Sequence, residues 1–181
     1  GPVEVDPPSG VETISVTSAL EMQAAAEDVF ATSDIAIAAA AVSDWRPVRR
    51  AAGKPARQPG RVTLELEPNP DIVKGLALDK GRRVVVGFAL ESVSAGMSAA
   101  VERGRSKLAA KGLDAVVVNL HDTIGSEQAE LIVCYPDGRE VALPRGDKYR
   151  VGAALIAAAD QLWQARNGAD GAAGPREDEA Q

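Results

Sequence analysis

The sequence predicts an α/β domain in which helices cover a mostly parallel β-sheet. Short runs of β-branched residues alternate along the chain with helical patterns, which is typical of stacked βαβ units with right-handed crossovers. In addition, 45% of the residues are hydrophobic but only 3% are aromatic. A core of Ala, Val, Leu and Ile suits helices packed closely on a parallel sheet. The 181 residues suffice for one such domain, which we predict over residues 1–166.

The first elements predict a strand, a helix and a second strand. Residues Val11 to Thr17 form a β-type run, and Ser18 can cap a helix from Ala19 to about Ala31. Glu21 stands at the position of the second capping-box residue. The alanine-rich run from Ile35 to Val42 predicts the next strand. Together these elements make one βαβ unit.

A long excursion separates this unit from the next strand. Residues Asp44 to Gly60 contain several Pro, Gly and Arg residues, which predicts an irregular, mobile flap rather than a crossover helix. The run from Arg61 to Glu67 predicts a strand. A helix is expected directly after it, with Asn69 as its N-cap and Pro70 at its first position.

The second half of the chain predicts the rest of the sheet. Residues Arg83 to Leu90 and Leu113 to Asn119 are buried-type strands, joined by a helix from about Ser94 to Lys111 that Gly112 ends. Two further runs flank the turn Pro136 to Gly138 and predict a β-hairpin. The last elements are a helix from about Asp147 to Arg166 and a disordered Gly/Ala-rich tail over residues 167–181.

Charge and composition argue against several classes of function. A net charge of −6 disfavours nucleic acid and anionic membranes as partners. One cysteine, Cys134, and one histidine, His121, provide neither an internal disulfide nor a zinc cluster. No run approaches about 18 apolar residues, so we expect a cytoplasmic protein. The glycine-rich phosphate loops GxxxxGK[ST] and GxGxxG do not occur.

Ligands of open α/β sheets bind beyond the carboxyl ends of the strands, where loops and helix amino termini converge. Here that rule selects Ser43-Asp44, the segment Asn69 to Val73, the segment Phe88 to Ser92, and Asn119. The small side chains of residues 38–40 would let a ligand approach the backbone closely. Dense packing of helices on the sheet explains those alanines equally well.

Three cations, Arg103, Lys107 and Lys111, recur at four-residue intervals along the predicted central helix. This spacing places them on one helical face, which would suit phosphate groups. A solvated surface, with the last lysine stabilising the helix dipole, is the alternative interpretation.

Five motifs in this order and spacing carry a resemblance to a known family. They are Ala38 to Pro47 (AAAAVSDWRP), Lys54, Asn69 to Val73 (NPDIV), Gly87 to Glu91 (GFALE) and Lys107 to Asn119 (KLAAKGLDAVVVN). Together they resemble phosphopantothenate cysteine ligase of coenzyme A biosynthesis. The resemblance implies a Rossmann-like three-layer fold, a homodimer, CTP as substrate and Mg²⁺ as cofactor. The flavin-dependent domain fused upstream in many members is not matched, so no flavin is expected.

The resemblance also implies a reaction and a set of site residues. In the family, the carboxylate of 4′-phosphopantothenate attacks CTP to give an acyl-cytidylate, which the amine of L-cysteine then converts into an amide. By motif, the nucleotide site is expected to comprise Ala38, Ala39, Ala40, Asp44, Pro70, Asp71, Ile72, Val73, Phe88, Lys107 and Lys111. Lys54 is expected to act catalytically as the first lysine of a flap that closes over the phosphates.

The sequence departs from the family pattern in three places, of which the smallest is Asn119-Leu120, where the family usually has Asn-Asp. The flap motif is Lys54-Pro55-Ala56-Arg57, in which an arginine replaces one lysine of the family's KIKK-like motif and another lysine is lost. Family members also carry an NRSSGKMG-like segment before the position that matches Gly1, so we expect an incomplete amino-terminal βαβ unit. A non-catalytic nucleotide-binding or dimerisation module is therefore the alternative function. ATP in place of CTP also stays open, whereas a nicotinamide-dependent enzyme is disfavoured because GxGxxG is missing.

Overall fold

The computed structural model describes residues 7–49, 53, 59–91, 96–120, 128–129, 131–144 and 146–168. The helices are α1 (Ala19–Phe30), α2 (Ile72–Leu78), α3 (Gly96–Lys111) and α4 (Lys148–Asn167). The strands are β1 (Ile35–Ala38), β2 (Trp45–Pro47), β3 (Leu66–Pro68), β4 (Val84–Glu91), β5 (Ala115–Leu120), β6 (Gln128–Ala129), β7 (Leu131–Cys134), β8 (Glu140–Ala142) and β9 (Gly146–Asp147).

The central sheet has the strand order β1-β4-β5-β7-β8. Strands β1, β4 and β5 run parallel to one another. The hairpin of β7 and β8 continues the sheet in the antiparallel direction. The predicted α/β fold, with its parallel core, carboxyl-terminal hairpin and final helix, is confirmed.

Alternation along the central strands explains why helices cover both faces of the sheet. Val85 and Ala89 of β4 belong to one apolar cluster, which includes buried residues of α1, α2 and α3. Val84 and Val86 belong to the other cluster, which contains the buried residues of α4. Because successive side chains of a strand point to opposite faces, one valine-rich run supplies both cores. The result is three layers.

Gly104 allows α3 to lie close against the sheet. A Cβ atom built at this position would come within 2.5 Å of Val118 Cγ2, closer than packed carbon atoms approach. Gly112, at φ +67°, then ends the helix in a left-handed conformation, as predicted. These glycines fix the distance and length of the helix that carries the candidate phosphate-binding lysines.

The structure corrects three predictions near the excursion. Residues 11–17 form no strand; none of the described strands pairs with them, and Val11 and Ile14 are exposed. An extended segment without a neighbouring strand lacks the ladder hydrogen bonds that define a sheet. The predicted strand from Arg61 to Glu67 is reduced to β3. The excursion begins not irregularly but with β2, which pairs antiparallel with β3; residues 50–52 and 54–58 lie outside the described residues.

The predicted cap of α1 is confirmed and that of α2 is wrong. Ser18 Oγ accepts a hydrogen bond from the Glu21 backbone N–H at 3.2 Å. In α2 the N-cap is Asp71, whose carboxylate accepts from the Lys74 N–H at 3.2 Å. Asn69 instead joins two loops: its side-chain amide donates to the Ser43 carbonyl, and its Oδ1 accepts from Arg46 Nη1.

A buried carboxylate ties α4 to the amino-terminal edge of the parallel strands. Asp114 accepts hydrogen bonds from the Val85 N–H and from Lys80 Nζ, both at 2.8 Å, and from the Arg166 guanidinium. Burial by itself would raise the pKa of Asp114, but these donors outweigh it and hold the pKa below its ordinary value. An ionic network therefore holds α4 against the amino-terminal ends of the parallel strands.

The predicted final helix is confirmed, with Asp147 as its N-cap and Gly168 as its C-cap. Of the predicted tail, residues 169–181 lie outside the described residues. Within the part of the chain that the structure describes, no helix is both long and apolar enough to cross a membrane.

Candidate functional site

A cavity of about 650 Å³ opens beside the carboxyl end of β1. Its walls come from α1, β1 and the loop that follows it, the start of α2, and the last turns of α3. The volume lies within the range of roughly 300 to 1,000 Å³ that is typical of small-molecule sites. The fold thus places a ligand-sized cavity where open α/β sheets bind their ligands.

The structure brings the residues of the predicted nucleotide site together. Each of them lines this cavity: Ala38, Ala39, Ala40, Asp44, Pro70, Asp71, Ile72, Val73, Phe88, Lys107 and Lys111. Phe88 differs from the rest because it also packs against the cluster beneath α4, on the other face of the sheet. Four segments that are far apart in sequence therefore converge on one cavity.

Asn69 joins two walls of the cavity. Its side-chain amide donates to the Ser43 carbonyl at 2.8 Å, and its backbone N–H donates to the Asp44 carbonyl at 2.8 Å. Arg46 Nη1 in turn donates to Asn69 Oδ1 at 3.3 Å and to the Pro68 carbonyl at 2.6 Å. The loop that carries Asp44 is consequently fixed to the segment that begins α2.

Both cavity lysines are paired with carboxylates from other elements. Lys107 Nζ lies 2.7 Å from Glu91 Oε1 at the end of β4. Lys111 Nζ lies 3.0 Å from Oδ1 of Asp71, the N-cap of α2. Arg103, the third cation of the predicted face, does not line the cavity but pairs with Glu91. An ammonium group has three donors, so each lysine keeps donors for a ligand.

Some predicted positions stay outside the site. Asn119, the penultimate residue of β5, does not line the cavity. Lys54, Ser92 and His121 lie outside the described residues. The catalytic role predicted for Lys54 therefore stays a prediction.

Sequence reasoning missed the wall that α1 contributes. Met22, Ala26, Val29, Phe30 and Ser33, on and just beyond α1, line the cavity. Their spacing is that of one helical face, which is also the pattern of residues packed in a core. No signal in the sequence distinguishes a helix that faces a cavity from one that is fully packed.

Among the described residues, no group of three or more His, Cys, Asp or Glu side chains could hold a metal ion. Magnesium in phosphate-transfer sites is usually held by one or two carboxylates together with substrate phosphates. Of the two cavity carboxylates, Asp71 pairs with Lys111, whereas the Asp44 side chain makes no hydrogen bond or ion pair with another described residue.

Comparison with known proteins identifies the family. A sequence model of the family described as the DNA/pantothenate metabolism flavoprotein C-terminal domain matches residues 1–162. The chain belongs to this family. Among curated relatives, the coenzyme A biosynthesis bifunctional protein CoaBC of Bacillus subtilis (strain 168) is 37% identical over 150 residues, which are 80% of this chain and 36% of that protein. The chain thus spans about a third of that relative's length.

Solved structures of the family have the same fold. A crystal structure of the C-terminal domain of CoaBC matches 91% of this chain and 70% of its own, with 26% identity and a TM-score of 0.66. The DNA/pantothenate metabolism flavoprotein from Streptococcus pneumoniae matches 89% of this chain and 77% of its own, with a TM-score of 0.72. At 15% identity, the latter supports the fold alone. The family resemblance derived from the five motifs is confirmed.

Proposed function

We propose that this chain carries the ligase step of coenzyme A biosynthesis in the cytoplasm, joining 4′-phosphopantothenate to L-cysteine with CTP. The observation that carries this proposal is the single cavity lined by every residue that the motifs assign to the nucleotide. Membership of the DNA/pantothenate metabolism flavoprotein C-terminal domain family supports it, as does the likeness to relatives named for coenzyme A biosynthesis.

The proposed chemistry has two steps. A carboxylate oxygen of 4′-phosphopantothenate attacks the α-phosphorus of CTP, and the bond to the β-phosphate breaks to release pyrophosphate. The amine of cysteine then attacks the acyl carbon of the cytidylate, and CMP leaves with the electrons of the broken C–O bond. Activation is required because a carboxylate alone does not react with an amine.

The cavity residues would serve these steps by binding and charge compensation. Lys107 and Lys111 stand on its wall and would bind the triphosphate, stabilising negative charge that shifts toward pyrophosphate. The small side chains of Ala38, Ala39 and Ala40 would let the nucleotide approach the backbone. Asp44 would contact the nucleotide or a Mg²⁺ ion held by the triphosphate. Lys54 would close over the phosphates from the flap.

We also propose that two copies of the chain form a dimer through the antiparallel ribbon of β2 and β3. Trp45, Val48, Val62, Leu64 and Leu66 are exposed along this ribbon and the segments that continue it. Exposed large apolar side chains concentrated on one ribbon favour an interface there. Analytical ultracentrifugation of the parent chain is expected to give twice the mass of one chain. The substitution Leu64→Lys should shift the mass to that of the monomer. A monomeric parent chain would contradict the proposal.

Calorimetry with CTP tests the nucleotide site directly. The full chain is expected to bind CTP, and the double substitution Lys107→Ala and Lys111→Ala should weaken binding by several kcal/mol, at roughly 1.5 to 3 per charged hydrogen bond. Lys148→Ala is the control, since that lysine is exposed at the start of α4 and does not line the cavity. An unchanged CTP affinity in the double variant would show that the two lysines do not bind the triphosphate and are only solvated surface residues.

Turnover tests the ligase itself. The chain, and a version extended upstream, are incubated with CTP, Mg²⁺, 4′-phosphopantothenate and cysteine, while pyrophosphate release and amide formation are followed. Parallel samples with ATP decide the nucleotide. Tight CTP binding without turnover in either version would favour the non-catalytic nucleotide-binding module instead.

A further inference from the structure

Glu91, the last residue of β4, is a buried carboxylate close to the cavity but not part of its lining. The residue is 7% exposed, and its backbone pairs with Leu120 of β5. A carboxylate this deeply buried is costly unless cations and hydrogen bonds compensate it. At this carboxyl end of β4 the backbone pairs with β5 alone, because the pairing with β1 ends at Gly87.

Two cations from α3 hold this carboxylate, one on each oxygen. Lys107 Nζ donates to Oε1 at 2.7 Å, and Arg103 Nε donates to Oε2. Burial alone would raise the pKa of Glu91, but the hydrogen bonds from Lys107 and Arg103 outweigh it and keep the pKa below its ordinary value. The group is therefore an ionised anchor for one face of α3.

The two cations that Glu91 holds differ in their position relative to the cavity. Lys107 lines the cavity, whereas Arg103 does not. A lysine side chain has four rotatable bonds, and fixing it on a ligand ordinarily costs conformational entropy. Glu91 fixes Lys107 before any ligand arrives. The Glu91 carboxylate itself is buried and does not line the cavity.

We propose that Glu91 is a positioning residue for nucleotide binding, which holds Lys107 Nζ at the cavity wall while Arg103 occupies its second oxygen. This inference rests on the proposed function, because it assumes that a triphosphate is the ligand of Lys107. Lys111 has a weaker counterpart in Asp71, whose side chain is 41% exposed. Glu91 is thus expected to set the geometry of Lys107, the cavity lysine whose carboxylate partner is buried.

The sign of the effect separates positioning from simple electrostatics. Removing a negative charge beside an anion site should tighten CTP binding if charge alone matters. If Glu91 positions Lys107, Glu91→Gln should instead weaken binding about tenfold, the size of one charged hydrogen bond. Glu102→Gln is the matched control, since it removes one charge from the exposed side of the same helix. Glu91→Asp, which keeps the charge, should bind more tightly than Glu91→Gln.

A double-mutant cycle by calorimetry with CTP completes the test. In a chain that already carries Lys107→Ala, Glu91→Gln is expected to change CTP affinity less than twofold, because the group it positions is gone. Equal weakening in both backgrounds, or tighter binding by Glu91→Gln alone, would overturn the inference while leaving the nucleotide site intact. A parent chain that binds no CTP would overturn the proposed function itself.

Discussion

Two buried carboxylates, Glu91 and Asp114, have the same chemistry but face different surroundings at opposite edges of the parallel strands. Each is held by two cations, and each has a lowered pKa. The cations of Asp114 come from two distant parts of the chain, residue 80 and residue 166, and a backbone N–H of β4 completes its shell. Those of Glu91 lie one helical turn apart on α3. Asp114 joins elements, whereas Glu91 orders one helix face beside the cavity.

The difference teaches that burial of a charge does not by itself reveal its role. A network that links several elements stabilises the fold, and its loss leaves buried donors without an acceptor. A network that joins only one helix to the end of one strand contributes less to the stability of the fold. Its consequence lies in the side chain that it orients, which here is Lys107.

Stability measurements should separate the two carboxylates most strongly. Asp114→Ala is expected to lower the free energy of unfolding by about 3 kcal/mol, since it leaves the Val85 N–H and two cations without their acceptor. Glu91→Ala should cost about 1 kcal/mol, because the side chains of Lys107 and Arg103 are 46% and 42% exposed and can be hydrated instead. Urea unfolding of both variants checks this. Equal losses of unfolding free energy in the two variants would contradict the different roles given to the two carboxylates.

The change in unfolding free energy with pH that comes from Asp114 is expected to be smaller than the effect of removing its carboxylate. The folded-state pKa of Asp114 is lowered, so its stabilising contribution is present above its unfolded pKa, near 4, and is lost as the pH falls through the folded value. The difference in unfolding free energy between the parent chain and Asp114→Asn should therefore stay constant from about pH 7 to about pH 5 and narrow as the pH falls below about 4. The slope is at most about 1.4 kcal/mol per pH unit for one proton.

Glu91→Gln provides the comparison for this pH series. The difference in unfolding free energy between this variant and the parent chain is also expected to narrow as the pH falls. It should be smaller than that of Asp114→Asn at neutral pH. A difference for Asp114→Asn that stays constant with pH would contradict an ionised, cation-held carboxylate in the folded chain.

Much of the fold could be predicted because its signals are local. The Ser18 cap precedes a helical pattern by one residue, the hairpin turn at Pro136 to Gly138 lies between two β-type runs, and Gly112 ends α3 through its own backbone freedom. Predictions failed where an element depends on a neighbour. The run from Val11 to Thr17 has strand-like residues, yet a strand exists only through its pairing.

The candidate site shows the same division. The motifs identified the family and the cavity residues, because the order and spacing of short segments are written in the chain. What the sequence could not supply is the pairing of groups separated by many residues. Glu91 meets Lys107 across 16 residues, and Asp114 meets Arg166 across 52. Such contacts arise only when β4, α3 and α4 pack into layers, so tertiary structure alone decided which carboxylate joins distant elements of the fold and which one pairs with a cavity lysine.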